Sequence, residues 1–190
     1  MGGMSLKQVT KIVENSSPLM HWYALKVFYN KVFDIEEELT KDKIETYIPC
    51  ETVIVEHHGG KKSMRKPVIS SLLFFCSTEK QALEQQQKLT DRVILYTRVD
   101  GWKKLPIAIP EREMNIFMLV TSSGEKGLEY FGNAPVEYTT GEHVKVTDGP
   151  FKGAEGYIRR IKGNRRLIVS IQGVCAVATT YIPQCFLQKI

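Results

Sequence analysis

The sequence predicts an α+β chain: an N-terminal α/β sandwich with a mainly antiparallel sheet, linked to a small C-terminal SH3-like β-barrel. Three observations carry this. Between residues 21 and 120, apolar β runs alternate with stretches whose apolar residues recur at helical spacing. Residues 121–140, TSSGEKGLEYFGNAPVEYTT, are Gly/Ser-rich with no apolar period, the composition of a linker. From residue 141 to 190 four or five short β patterns follow one another with no helix between them.

The elements follow in order. Residues 1–20 are polar, lack the apolar block and small-residue cleavage site of a signal peptide, and are expected to form an extension. WYALKVF (22–28) is a nearly all-apolar β run. Asn30 is placed to cap a helix in which Val32, Ile35 and Leu39 recur on one face, with Glu36, Glu37 and Glu38 on the other. IETYIPC (44–50) and TVIVE (52–56) read as strands interrupted by Pro49, and HHGGKKSMRK (57–66) as a basic, glycine-containing loop. PVISSLLFFCS (67–77) is a buried strand. Thr78 with Gln81 forms a capping box that opens a helix running to about Leu89. RVILYTRV (92–99) is another strand, and Pro110 starts a helix with Glu111 and Glu113 in its first turn and Met114, Phe117 and Met118 as its apolar stripe. Beyond the linker come HVKVTD, GYIRRI, RLIVSI and VCAVATTYI, with Gly163-Asn164 as a hairpin turn.

VKVTDGPFKGAEGYI (144–158) crowds Gly149, Pro150, Gly153 and Gly156 between two β patterns. A phosphate loop would run from strand into helix and carry Lys-Ser or Lys-Thr, and a calcium loop would need carboxylates at alternate positions; neither pattern is present. A tight corner remains. The four cysteines, Cys50, Cys76, Cys175 and Cys185, form no CxxC pair, and the adjacent His57 and His58 would point to opposite sides of a strand, so no metal and no cofactor is expected. No run approaches the roughly 20 apolar residues of a membrane helix, and a cytoplasmic monomer is expected. The formal charge is +5, and residues 141–190 alone carry 8 basic and 3 acidic groups, so attraction for nucleic acid concentrates there.

GEHVKVTDGPFKGAEGYIRRIKGNRRLIVSI (141–171) resembles the KOW domain of the NusG family of transcription elongation factors. HWYALKVFYNKVFDIEEEL (21–39) followed by IETYIPC resembles the opening strand, helix and strand of the NusG N-terminal domain. The resemblance divides the chain into an N-terminal domain (21–120), a linker (121–140) and a KOW domain (141–190). NusG proteins tend to carry an aromatic-Pro-Gly-Tyr step where this chain reads Ile69-Ser70-Ser71-Leu72. With the basic insert HHGGKKSMRK, this looks more like the specialised UpxY-type antiterminators of capsular polysaccharide operons.

The resemblance implies an N-terminal domain that docks an apolar surface on the clamp helices of RNA polymerase. The matching positions are Leu72, Phe74, Val99, Met114 and Phe117. It also implies contact of Tyr29, Asn30 and Lys31, at the first helix, with non-template DNA, where an aromatic and a basic group suit stacking plus phosphate contact. The insert residues Lys61, Lys62, Arg65 and Lys66 reach toward DNA or another polymerase surface. Arg159, Arg160, Arg165 and Arg166, with Lys162, flank one hairpin turn and are placed to touch nascent RNA. A KOW domain in this family recruits Rho or a ribosomal protein. The β-branched residues Val144, Val146, Ile168, Val169, Ile171, Val174 and Val177 argue for a permanent barrel.

Two alternatives remain at this level. A general NusG-type factor would share every feature except the departure at 69–72. A ribosome-associated KOW protein would concentrate RNA affinity on the 159–166 hairpin and need little of the N-terminal domain. No nucleophile–base pair and no paired carboxylates stand out, and Glu36–Glu38 lie on a helix surface, so no enzyme is expected.

Overall fold

β1 (His21–Val27) is apolar almost throughout because both of its faces are covered. The computed structural model describes residues 19–57, 59–132 and 141–190; most of the expected N-terminal extension, His58 and the end of the expected linker lie outside them. β1 is a central strand of an antiparallel sheet of order β2 (Thr46–Tyr47), β5 (Leu72–Ser77), β1, β6 (Val93–Leu95). Its register opposite β5 pairs Ala24 with Phe74 and Leu25 with Leu73. Alternation sends Tyr23, Leu25, Val27, Leu73 and Phe75 to one side. There they pack with Val32, Ile35 and Leu39 of α1 (Val32–Lys41) and Ala82 of α2 (Glu79–Lys88). Trp22, Ala24, Leu72 and Phe74 go to the other side, against Met114, Phe117 and Val120 of α3 (Glu111–Thr121).

The caps decide where the helices begin. The Thr78 hydroxyl accepts from the Gln81 amide at 3.2 Å, as its sequence position requires. The expected Asn30 cap is corrected: Lys31 occupies the cap position without a side-chain bond. Tyr29 and Asn30 instead form a left-handed turn, with φ of 59° and 56°. α3 ends where the Thr121 hydroxyl meets the Tyr47 hydroxyl at 2.6 Å, tying that helix to β2.

Two hairpins stand off this sheet. β3 (Cys50–His57) and β4 (Gly60–Pro67) pair over their full length, so the expected basic loop is in large part a strand. Every β4 residue before Pro67 is exposed. The expected strand 92–99 breaks at Tyr96: β6 joins the sheet, while β7 (Thr97–Asp100) folds back on β8 (Lys103–Pro106).

The C-terminal unit is a six-stranded antiparallel sheet of order β14 (Leu187–Lys189), β10 (Glu142–Val146), β11 (Glu155–Ile161), β12 (Asn164–Ile171), β13 (Cys175–Tyr181), β9 (Glu129–Gly132). Its strands are β as expected, and β9 comes from the segment expected to be linker. The turn between β11 and β12 is Lys162-Gly163, one residue earlier than the sequence suggested, with φ of 51° and 81°. At a bulge between β12 and β13 the Thr179 hydroxyl takes the Leu167 amide at 3.0 Å, replacing a lost ladder bond. The 144–158 stretch is a corner. The Val146 amide donates to the Ala154 carbonyl and the Val146 carbonyl accepts from Gly153, both at 2.8 Å. A Cβ on Gly156 would lie 2.3 Å from the Ile168 carbonyl oxygen, so only glycine lets β11 approach β12 there.

Candidate functional site

Leu72, Phe74, Met114 and Phe117, expected as a docking surface, lie together in one apolar cluster. The Phe74 and Phe117 rings lie 5.5 Å apart, centroid to centroid. All four are closed to solvent, so in this state they are core rather than surface. Alternation forces this, because β5 and α3 must each bury one face. Val99 is not with them; it sits on β7 and is 74% exposed.

The apolar cluster does not end at the N-terminal sheet. It continues through α3 into Val144, Val146, Leu167, Val169 and Ile171 of the C-terminal sheet as one cluster. Several contacts mark the seam. Arg112 on α3 pairs with Glu155 on β11. Ile107 Cδ1 lies 3.0 Å from where a Cβ on Gly173 would stand, and Leu119 Cδ1 3.8 Å from the same point on Gly153. Half-buried Tyr96, Ile107 and Ile116 pack against the cluster at its rim. Burial raises the Glu155 carboxyl, but hydrogen bonds to Arg112 and Lys145 outweigh it and leave the group below the ordinary glutamate range. A cleft of about 360 Å³ between Arg112, Ile116, His143, Glu155 and Tyr157 runs along the seam.

The basic candidates divide into held and free groups. Arg65 crosses from β4 to α1, where it meets both carboxylate oxygens of Glu36 at 3.2 and 3.4 Å and lies over the Phe33 ring. It anchors the hairpin, as Lys66 does by pairing with Glu51 at 3.2 Å. Lys61 and Lys62 point to opposite faces of β4 and carry no ion pair among the described residues. Lys31 pairs with Asp34 at 3.1 Å, whereas Tyr29 is 80% exposed beside it.

The arginine hairpin is largely occupied. Arg159 stands opposite Arg166, and Arg160 opposite Arg165. Glu129 of β9 forms ion pairs with Arg166 at 3.0 Å and Lys162 at 3.1 Å, and the Lys162 hydrogen bond first, then the two positive charges, hold its carboxyl below the ordinary range. The Arg166 side chain is 13% exposed. Arg165 bonds Gln184 at 3.2 Å. Arg160 is exposed, but Arg166, expected to face RNA, is turned inward by a partner that the sequence reading placed in a linker.

Residues 20–118, about half of the chain, match the family model described as transcription termination factor nusG. The chain belongs to the NusG family. It is a transcription elongation or termination factor, and its family is non-catalytic and binds RNA polymerase in general. A solved structure titled "Domain interaction in Thermotoga maritima NusG" is 16% identical, covers 90% of this chain and 98% of that chain, and has a TM-score of 0.46. No curated protein matches the chain.

The matched NusG region contains every N-terminal candidate from Tyr29 to Phe117; the arginine hairpin lies beyond it. The sequence reading missed Tyr96, Ile107, Ile116 and Arg112 as seam residues. The alternation of Ile107 and Ile109 around Ala108 was a signal for the first of these, since Ile109 bridges to Trp22 and leaves Ile107 at the rim. Among the described residues, no group of three or more His, Cys, Asp or Glu is placed to hold a metal. No described helix is long and apolar enough to cross a membrane.

Proposed function

We propose that the chain is a cytoplasmic antitermination factor of the UpxY type, binding the clamp helices of RNA polymerase and promoting processive elongation of a long operon such as a capsular polysaccharide cluster. The observation that supports it most is the continuous apolar face of β1, β5 and α3, with Leu72, Phe74, Met114 and Phe117 as its floor and Tyr96, Ile107 and Ile116 as its rim. In the described state the C-terminal sheet packs on this face from outside. Docking therefore requires the two units to part, and the same step frees the C-terminal unit for a second partner such as Rho or a ribosomal protein. Tyr29, Lys61 and Lys62 remain outside the seam, exposed and available to non-template DNA throughout. Val99, far from the floor, is left out of the docking surface.

Run-through transcription on templates carrying a Rho-dependent and an intrinsic terminator tests the activity. An antiterminator raises read-through at both or either. Increased termination at the Rho-dependent site, with none of this gain, would make the chain a general NusG-type factor instead.

A further inference from the structure

The β7–β8 hairpin carries the most exposed large hydrophobic side chain among the described residues. Trp102 is 104% exposed relative to a free reference, so its ring touches no part of the fold. The hairpin itself is well defined. Asp100 pairs with Lys103 across a two-residue turn, Gly101-Trp102, and Gly101 has φ of 59°. Glycine at the first turn position is what a type II′ turn requires, and such a turn matches the twist of its flanking strands. The base is fixed to the N-terminal sheet: the Tyr96 amide donates to the Ala24 carbonyl at 2.9 Å, and the Ile107 amide to the Tyr96 carbonyl at 3.0 Å. Trp102 is therefore held out on a rigid arm.

The surroundings of the ring narrow what it meets. Arg98, Lys103 and Lys104 are exposed on the same hairpin and have no ion pair among the described residues; Asp100 is the single acidic group there. Protein interfaces enrich Trp but deplete Lys, so a ring flanked by two lysines does not suit a protein pocket. Single-stranded nucleic acid uses both components: an unpaired base stacks on the ring, and the cations meet the flanking phosphates. A duplex offers its bases only in the grooves and its phosphates without a free base face.

We propose that the Trp102 hairpin, with Lys103 and Lys104, is a binding site for single-stranded nucleic acid, in which one base stacks on the indole. The site is separate from the Tyr29 turn and does not depend on docking to polymerase.

Intrinsic fluorescence of the full chain tests it. The chain has two tryptophans, and Trp22 is buried, so quenching by added oligonucleotide reports on Trp102. Short oligothymidylate and oligouridylate are the probes, and comparing them distinguishes DNA from RNA as the strand preferred. The variants at 102 lack the reporting indole, so affinities are compared by the anisotropy of a dye-labelled oligonucleotide: the wild type and Trp102→Phe bind, and Trp102→Ala binds at least about fivefold more weakly, the lower end of one lost base stack. A Lys103→Gln/Lys104→Gln double variant lowers the slope of log affinity against log salt by about 1.4, two single-strand phosphate contacts. Because these side chains leave the fold untouched, the variants keep the wild-type melting temperature. Unquenched fluorescence at saturation, equal affinity of Trp102→Ala, or tighter binding to duplex than to single strands would overturn the proposal. If instead an immobilised protein partner required Trp102 while oligonucleotides bound the alanine variant normally, the ring would serve a protein and the proposal would fail.

Discussion

Replacing Ile107 by Asp should part the two units without unfolding either. Ile107 is half-buried, and its Cδ1 approaches the β12–β13 turn at Gly173 more closely than any bulkier residue there would permit. Full burial of an isoleucine contributes about 1.5–3 kcal/mol, so losing a half-buried one costs about 1 kcal/mol. A carboxylate in the same place, facing apolar cluster without a cation, costs several kcal/mol more to desolvate unless it moves into water. The seam is thus weakened by about 1 kcal/mol if the carboxylate reaches water and by about 3 kcal/mol if it stays, a factor of up to about 150 in the closed-to-open ratio. Within the N-terminal unit the change is tolerable, because the Ile107 backbone bond to Tyr96 does not involve the side chain. Small-angle scattering gives the outcome. A single compact body of this length has a radius of gyration of about 16 Å, and the variant should exceed the wild type by several ångströms. Amide chemical shifts should move along α3, β12 and β13 and stay fixed in α1 and α2. Ile107→Val, which keeps the contact apolar, should resemble the wild type. A folded Ile107→Asp protein with unchanged radius and unchanged shifts would refute the reasoning that this apolar contact holds the units together.

Two further outcomes follow from the geometry. Gly156→Ala places a methyl 2.3 Å from the Ile168 carbonyl, and since the obstacle is backbone it should destabilise the C-terminal unit by about 3 kcal/mol, the upper end of overpacking; urea unfolding followed by β-sheet circular dichroism checks it, and a loss below about 0.5 kcal/mol contradicts it. Acid should weaken the fold through Glu38, Asp42, Glu129 and Glu155, whose pairing with Arg92, Lys88, Lys162 and Arg112 keeps them below the ordinary carboxylate range. A group depressed in the folded state adds stability above its unfolded value and loses it as pH falls through the folded value, so the melting temperature should hold at neutral pH and drop on acidification, less steeply in Glu38→Gln/Glu129→Gln. A wild-type profile flat down through the carboxylate range contradicts it.

Residues buried on both faces or on one helical stripe were legible in the sequence. WYALKVF reads as a central strand because both sides are apolar, and Val32, Ile35 and Leu39 fix α1 by their spacing. The hairpins were not legible as strands or were cut short, because neither face of β4 or β7 is buried and alternation has no core to record. The turn between β11 and β12 slipped by one residue because Lys162 accepts a left-handed conformation that the sequence rule assigns to Asn or Gly. For the candidate site, the apolar floor was readable from residue type, whereas its cover was not: composition names the side chains that must leave water but not the element that removes them. Glu129 is the clearest case. It lies in a segment with no apolar period, yet it pairs with two of the hairpin's cations and decides which of the basic side chains stay free.

If the polymerase-docking face lies under the C-terminal sheet, it becomes available only when the units part. The direct measurement is the affinity of the full-length wild type and of Ile107→Asp for isolated RNA polymerase clamp helices, side by side. When only the open form binds, apparent affinity scales with its population, so the variant should bind more tightly, by up to about 150-fold if the wild type is almost wholly closed. Equal or weaker binding by a folded, opened variant would contradict the claim and place the docking surface elsewhere on the chain.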